Sequence, residues 1–145
     1  MFPEDPKIRA KIHQYFNWQH KGARRVTESV FRPALMAAFA KPPDAVGLGA
    51  AVAEGLEEVK PVLTLVEDWL SKSSFITGDA PTAADLLCYC ELGQLKELGL
   101  FDYKPYPKIS TWLGKMQKLP GYEQSAVGVQ KLAGFMSKKF GPAKL

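Results

Sequence analysis

The amino-acid sequence predicts an all-α fold, a bundle of about five helices in one domain that spans residues 1–145. Three observations support this prediction. Apolar residues recur at helical spacing over long stretches. No segment alternates polar and apolar residues as a half-buried strand does, and no hairpin dipeptide separates two strand-like runs. The chain has 145 residues, of which 46% are hydrophobic and 23% charged, so it is long enough to enclose one core.

The first predicted helix begins at Asp5-Pro6, because Asp5 is a suitable N-cap and proline is favoured at the first helical position. Pro33 is expected to bend this helix near its end, and the segment Lys41–Gly49 to terminate it. Between these points one largely apolar stripe follows helical spacing at Ile8, Ile12, Tyr15, Gln19, Ala23, Val26 and Val30.

The second and third predicted helices form the middle of the chain. The second runs from about Ala50 to Ser71, and Pro61 inside it is expected to cause a kink or a division into two pieces. The third begins at Thr82. It is apolar on nearly every side from Ala83 to Cys90, which predicts a position in the middle of the domain.

The last two predicted helices follow a proline-rich turn. A short amphipathic helix ends at Pro120-Gly121, and a final helix covers about Glu123 to Lys138. The apolar face of the short helix carries Ile109, Trp112, Leu113 and Met116.

Composition narrows the class of protein. The net charge is +4, a mild excess that is compatible with an anionic ligand but does not establish one. There is no apolar run long enough for a membrane span, and the start MFPEDPKIRAK lacks the apolar core of a signal peptide, so we expect a cytoplasmic protein without membrane partners. Cys88 and Cys90 would point about 200° apart on a helix, which prevents a disulfide, and we expect both to be buried free thiols.

Thr82-Ala83-Ala84-Asp85 has the pattern of a capping box, in which the Thr hydroxyl and the Asp carboxylate satisfy each other's backbone N–H groups. It stands at the start of a helix predicted to be buried, where uncapped N–H groups would be costly. Thr82 and Asp85 are therefore assigned a structural role.

Three segments together resemble the C-terminal domain of the cytosolic glutathione transferases. FITGDAPTAADLLCYCEL resembles the turn and capping box that open the central helix of that domain, and YPKISTWLGKMQKLPGY resembles the helix that follows. YFNWQHKGARR is similar to the first helix of theta-class and theta-like members, which carry Trp-Gln-His-x-x-x-Arg-Arg. In this chain that pattern is formed by Trp18, Gln19, His20, Arg24 and Arg25.

The resemblance implies that the chain forms one side of a hydrophobic electrophile pocket and part of a homodimer interface in a theta-like glutathione transferase. Its partners would be glutathione, as co-substrate, and a hydrophobic electrophile; no other cofactor is implied. Nothing in the sequence resembles the thioredoxin-like half that binds glutathione, so the chain alone is expected to be non-catalytic. One alternative is a non-catalytic interaction module of the kind fused to translation factors or aminoacyl-tRNA synthetases. Another is a small-molecule carrier with an apolar pocket between the first and third helices.

The candidate binding residues lie on the polar side of the first predicted helix, where His13, Asn17, His20 and Arg24 would share one face. The two histidines would be about 10 Å apart along the axis, too far to hold one metal ion. The basic residues are not interleaved with aromatic ones, so we expect no nucleic-acid partner. Without the resemblance, these four residues would be interpreted as a polar, solvent-exposed face of the first helix.

The resemblance implies that this face of the first helix lines a cleft toward the thioredoxin-like half of the complete enzyme. It implies that Arg24 meets an anionic group of glutathione or of the substrate, a role suited to the donor fork of a guanidinium. Lys21 and His20 are the further candidates for ligand contact. In the last helix, Leu132, Phe135 and Met136 would either roof the substrate pocket or belong to the core.

Overall fold

The computed structural model describes residues 2–140, and within them the chain is helical without a β-strand. When the interrupted first helix is counted as one, residues 2–140 form a bundle of five helices, which confirms the predicted fold class. The elements in chain order are α1 (Pro6–Gln19), α2 (Arg24–Val26), a π-helical turn (Thr27–Phe31), α3 (Arg32–Phe39), α4 (Ala45–Lys72), α5 (Ala83–Glu97), α6 (Pro107–Met116) and α7 (Tyr122–Phe140).

The first helix begins as predicted but does not run on without a break. Asp5 Oδ1 accepts a hydrogen bond from Lys7 N at 2.8 Å, as an N-cap does. The helix stops before residues 20–23, where the Trp18 indole lies against Gly22; a Cβ at Gly22 would come within 2.2 Å of the indole ring. The single helix expected to carry both His13 and Arg24 is therefore interrupted by a turn between them.

The irregularity expected near Pro33 lies just before it. Arg32 N donates to Thr27 O across the π-helical turn, and Pro33 then stands in the first turn of α3. Proline has no N–H to offer Ser29 O, so a regular α-helical bond is unavailable there. Helix α4 packs closely on this turn, since a Cβ at Gly55 would lie 2.0 Å from Ser29 O.

Helix α4 starts earlier than predicted. Asp44 Oδ1 accepts from Gly47 N at 2.7 Å, so Asp44 is the N-cap and the helix begins at Ala45. Pro61 lies within one continuous helix rather than between two pieces, and it is on the exposed side. The opposite side carries Val59, Leu63 and Val66 into the core.

Helix α5 contacts α1, α6, α7 and the π-helical turn, as its predicted central position requires. One face is fully buried, with Ala84, Cys88 and Leu92 at 0% exposure. The opposite face is not covered: Leu86 and Leu87 are 40% and 37% exposed. The prediction that this helix is buried on nearly every side is therefore wrong for one of its faces.

Helices α6 and α7 complete the core. The predicted apolar face of α6 is buried along its whole length, and Glu67 of α4 caps its start by accepting from Lys108 N and Ile109 N, each at 2.9 Å. Met136 of α7 is buried in the same core. No helix of the described residues is long and apolar enough to cross a membrane.

Candidate functional site

The capping box at the start of α5 is present. Asp85 is fully buried, and its two oxygens accept four hydrogen bonds. Oδ2 accepts from Thr82 N at 2.8 Å and from Thr82 Oγ1 at 3.1 Å; Oδ1 accepts from Ile76 N at 2.8 Å and from Trp112 Nε1 at 3.1 Å. This carboxylate joins the preceding turn, α5 and α6, so its role is to hold these three elements together.

The polar cluster between α2 and α5 is built around Arg24. Arg24 Nη1 donates to Glu91 Oε1 at 3.2 Å, and the other Glu91 oxygen accepts from Thr27 Oγ1. Gln94 Nε2 in turn donates to Thr27 Oγ1. The Glu91 side chain is 4% exposed whereas that of Arg24 is 53% exposed. A buried carboxylate thus holds one edge of the guanidinium while the rest of the side chain stays open to solvent.

Glu91 was not among the residues predicted from the sequence. The sequence did contain an indication of its role: Glu91 is an acid in the middle of an apolar helix. A buried carboxylate there needs a partner that offsets its loss of hydration. The sequence could not identify that partner. Arg24 lies 67 residues away, on an element whose orientation depends on the turn at Gly22.

His20 and Lys21 lie outside this cluster. Both are exposed at the end of α1, where their backbone N–H groups donate to Trp18 O. Within residues 2–140 neither side chain forms a hydrogen bond or an ion pair. Their role in ligand contact stays a prediction.

His13 is also exposed, and its ring packs edge-on against Phe2 and Phe16, with centroids 5.7 and 6.2 Å apart. Across the described part of the chain, no three His, Cys, Asp or Glu side chains are grouped so that they could hold a metal ion.

A cavity of about 340 Å³ opens beside the polar cluster, between the π-helical turn, α5 and α7. Gln94 belongs to both the cluster and the cavity wall. The wall is mostly apolar and is formed by Phe31, Tyr89, Cys90, Gly93, Gln94, Glu97, Tyr122, Ser125, Ala126, Gly128, Val129 and Leu132. The cavity has the size and lining typical of a small-molecule pocket.

Three residues of the cavity wall, Tyr89, Glu97 and Tyr122, belong to a second polar network, centred on Glu97. Glu97 Oε1 accepts from Tyr89 OH at 3.2 Å, from Gln117 Nε2 at 2.8 Å and from Tyr122 OH. Burial raises the pKa of both tyrosine hydroxyls, so both remain protonated donors at neutral pH. Each can therefore keep its bond to the carboxylate.

The two cysteines differ in solvent exposure, so the expectation that both are buried is wrong for one of them. Cys88 is buried in the core, whereas Cys90 is exposed and lines the cavity. Burial raises the pKa of the Cys88 thiol to about 12. The pKa of Cys90 is also raised, by partial burial and by the neighbouring Glu91.

Residues 29–120, more than half of the chain, match the family model of the glutathione S-transferase C-terminal domain. The chain belongs to this family. The sequence relatives of this glutathione S-transferase domain are theta-class enzymes. It is 29% identical over 122 residues to glutathione S-transferase theta-1 of Homo sapiens, covering 83% of this chain and 50% of the relative. It is 34% identical over 137 residues to glutathione S-transferase T1 of Arabidopsis thaliana, covering 86% and 53%.

Solved structures show the same fold. A delta-class glutathione transferase of Nilaparvata lugens superposes with a TM-score of 0.73 at 22% identity, covering 95% of this domain and 61% of that chain. Bombyx mori glutathione transferase BmGSTD1 gives the same TM-score and identity, covering 92% and 59%. The chain spans about half the length of the first theta-class relatives it matches, so it corresponds to one domain of those proteins.

Proposed function

We propose that this domain forms the C-terminal half of a theta-like glutathione transferase, where it supplies one wall of the electrophile pocket and part of a homodimer interface. The proposed reaction joins the thiolate of glutathione to a hydrophobic electrophile. No residue of this chain is assigned a catalytic role, and residues 1–145 alone should give no turnover. A cytosolic location, which keeps Cys88 and Cys90 reduced, is part of the proposal.

The observation that supports the proposal best is the geometry of Arg24. Its guanidinium has five donors in a fixed fork, and Glu91 engages one edge of it at 3.2 Å. Because the carboxylate is buried and also accepts from Thr27, it restricts the orientation of the arginine. A pre-positioned guanidinium with an open edge suits a carboxylate or sulfate group of a ligand. Lys21 and His20, at the neighbouring turn, are proposed as outer contacts of the same ligand.

The cavity beside Gln94 is the proposed place of the electrophile. It is apolar in most of its lining, as a site for a hydrophobic substrate requires. Of the residues of α7 considered from the sequence, Leu132 lines the cavity and Met136 belongs to the core. Phe135 does neither; it is 41% exposed and stacks on Phe39, with centroids 5.1 Å apart.

The uncovered face of α5 supports a partner domain on this side. Leu86, Leu87 and Cys90 lie exposed on the helix that also carries Glu91. Since this chain spans only about half the length of the theta-class relatives, we assign this face to the contact with their remaining half. The alternative of an assembly module has no feature of its own among the residues described.

The test joins residues 1–145 to the N-terminal half of a theta-class relative and measures conjugation of glutathione to an aryl halide. Arg24→Ala should raise the KM for glutathione about tenfold or more, the effect of one lost hydrogen bond to a charged group. Arg25→Ala is the matched control, because Arg25 is the adjacent exposed arginine and pairs with Glu58 instead. It should change KM less than twofold.

Equal effects of the two substitutions would contradict the assigned role of Arg24. A chimera that folds yet neither binds glutathione nor turns over would contradict the enzyme function itself. Recovery of synthetase or elongation-factor partners by such an inactive chimera would favour the assembly module.

A further inference from the structure

The cavity beside Gln94 carries a charge of the opposite sign to that of the chain as a whole. Glu97 is the one charged side chain among the described residues that line it, and no Lys, Arg or His is found there. The net charge of the sequence, in contrast, is +4. A carboxylate in such a wall attracts a cation and repels an anion. Because most of the wall is apolar, water screens this effect less than it does on an open surface.

The Glu97 carboxylate is held in place and has one oxygen that is open to a ligand. Oε1 accepts three hydrogen bonds, from Tyr89, Gln117 and Tyr122, whereas Oε2 accepts none within residues 2–140. One cation belongs to this network: Lys96 Nζ donates to Gln117 Oε1 at 3.3 Å. A neutral amide therefore stands between Lys96 and Glu97, and Lys96 does not line the cavity. Oε2 can accept a hydrogen bond from a ligand.

Aromatic rings stand beside this carboxylate. The Tyr89 and Tyr122 rings meet nearly at right angles, at 84°, with centroids 6.1 Å apart, and Phe31 is a third ring of the wall. Tyr89 packs closely against its own helix, since a Cβ at Gly93 would come within 2.8 Å of its Cζ. The face of an aromatic ring attracts an ammonium group. Two phenol rings bonded to one carboxylate thus form a corner that suits such a group.

From these features we propose that the cavity beside Gln94 binds a hydrophobic amine in its ammonium form. The ammonium group donates to Glu97 Oε2 and lies against the Tyr89 and Tyr122 rings, while an apolar body fills the rest of the cavity. An aliphatic amine is protonated at neutral pH, as a lysine side chain is. The preferred electrophile then carries an aliphatic ammonium group. That last step rests on the proposed transferase function, whereas the binding preference rests on the cavity alone.

The test compares three probes of similar shape: 4-phenylbutylamine, the neutral 4-phenyl-1-butanol and the anion 4-phenylbutyrate. Binding to the 145-residue chain is read from the protection of Cys90, which is exposed and lines the cavity, whereas Cys88 is buried. The thiol reagent is 4,4′-dithiodipyridine, which does not react with amines. Saturable slowing of Cys90 modification gives the dissociation constant of each probe.

The three probes should differ in a fixed order. The amine should bind about five- to tenfold more tightly than the alcohol, the effect of one hydrogen bond to a half-buried carboxylate. The anion should bind most weakly. Diffuse attraction to a chain of net charge +4 would give the opposite order for the two ions, so the expected order identifies a local effect.

The substitution Glu97→Gln localises the charge. The amide can keep its oxygen toward Tyr89, Gln117 and Tyr122, and it then places an NH₂ group, a donor, at the position of Oε2. It should weaken binding of the amine by the same factor of about five to ten and change that of the alcohol less than about twofold. Glu123→Gln is the matched control, because Glu123 is an exposed acid of α7 outside the cavity wall and the change in net charge is equal. It should alter neither affinity.

Three results would overturn the proposal. They are no saturable protection of Cys90 at millimolar amine, an amine that binds no more tightly than the alcohol, and equal weakening by Glu97→Gln and Glu123→Gln. The comparison of probes needs no substitution, so it decides even if circular dichroism shows that Glu97→Gln fails to fold.

The outcome is separate from that of the chimera, because no glutathione is present. Amine binding beside a chimera without turnover would contradict the transferase function and leave this proposal standing. An active chimera beside a chain with no preference for the amine would contradict this proposal and leave the transferase function standing.

Discussion

Replacing Asp85 with asparagine tests how much of the domain's stability rests on one buried carboxylate. The two residues have nearly the same shape, so the substitution leaves packing intact and changes only hydrogen bonding. Each carboxylate oxygen accepts two bonds, from Ile76 N and Trp112 Nε1 on one side and from Thr82 N and Oγ1 on the other. An amide keeps one oxygen and presents an NH₂ group to the remaining two donors.

The less costly orientation of the amide points its nitrogen at Thr82. The Thr82 hydroxyl can then rotate to accept, but Thr82 N–H, which is buried, loses its acceptor. One buried unsatisfied donor and one lost charge-assisted bond together give about 2–3 kcal/mol of destabilisation. Asp85→Ala also removes the acceptor of Ile76 N and Trp112 Nε1, so it should cost about 4 kcal/mol or more.

The assay is urea unfolding at pH 7, followed by circular dichroism. With a slope of roughly 1–3 kcal/mol per molar urea, Asp85→Asn should lower the midpoint by about 1–2 M. Asp79→Asn, at the exposed acid of the preceding turn, should lie within about 0.5 kcal/mol of the parent. If Asp85→Asn also stayed within that range, the four bonds would not contribute as argued.

Two further predictions concern a close helix contact and the thiols. Gly55→Ala should destabilise the domain by about 3 kcal/mol, since its Cβ would meet Ser29 O at 2.0 Å; Gly128→Ala, where nothing lies within 4 Å, should instead stabilise it by about 0.5–1 kcal/mol in the same unfolding assay. At pH 8, iodoacetamide should label Cys90 and spare Cys88, because Cys88 is buried and its pKa of about 12 keeps the thiol protonated at pH 8. The labelled cysteine is identified by mass spectrometry after digestion. Labelling of Cys88 before Cys90 would contradict the burial of Cys88.

The part of the fold that local chemistry determines could be predicted from the sequence. The N-cap at Asp5, the capping box at Thr82 and the apolar face of α6 follow from short spacings. These features hold because the partners of each residue lie within a few positions of it, so no knowledge of the tertiary structure was needed.

The remainder depends on contacts between distant segments. The exposure of Leu86 depends on which other elements cover α5 and which do not. The pairing of Glu91 with Arg24 spans 67 residues. Helical periodicity gives the residues that share one face of a helix, but it does not say which other element that face meets.

The two buried carboxylates of α5 have a consequence for the order of folding. Asp85 binds a donor 27 residues further along the chain in α6, and Glu91 binds donors 64 and 67 residues before it. Such bonds can form only after long loops have closed, and the entropy of closure rises with loop length. The long-range hydrogen bonds of Asp85 and Glu91 should therefore form late, after the core has collapsed around the apolar face of α5. The Arg24 cluster would then acquire its geometry among the last steps of folding.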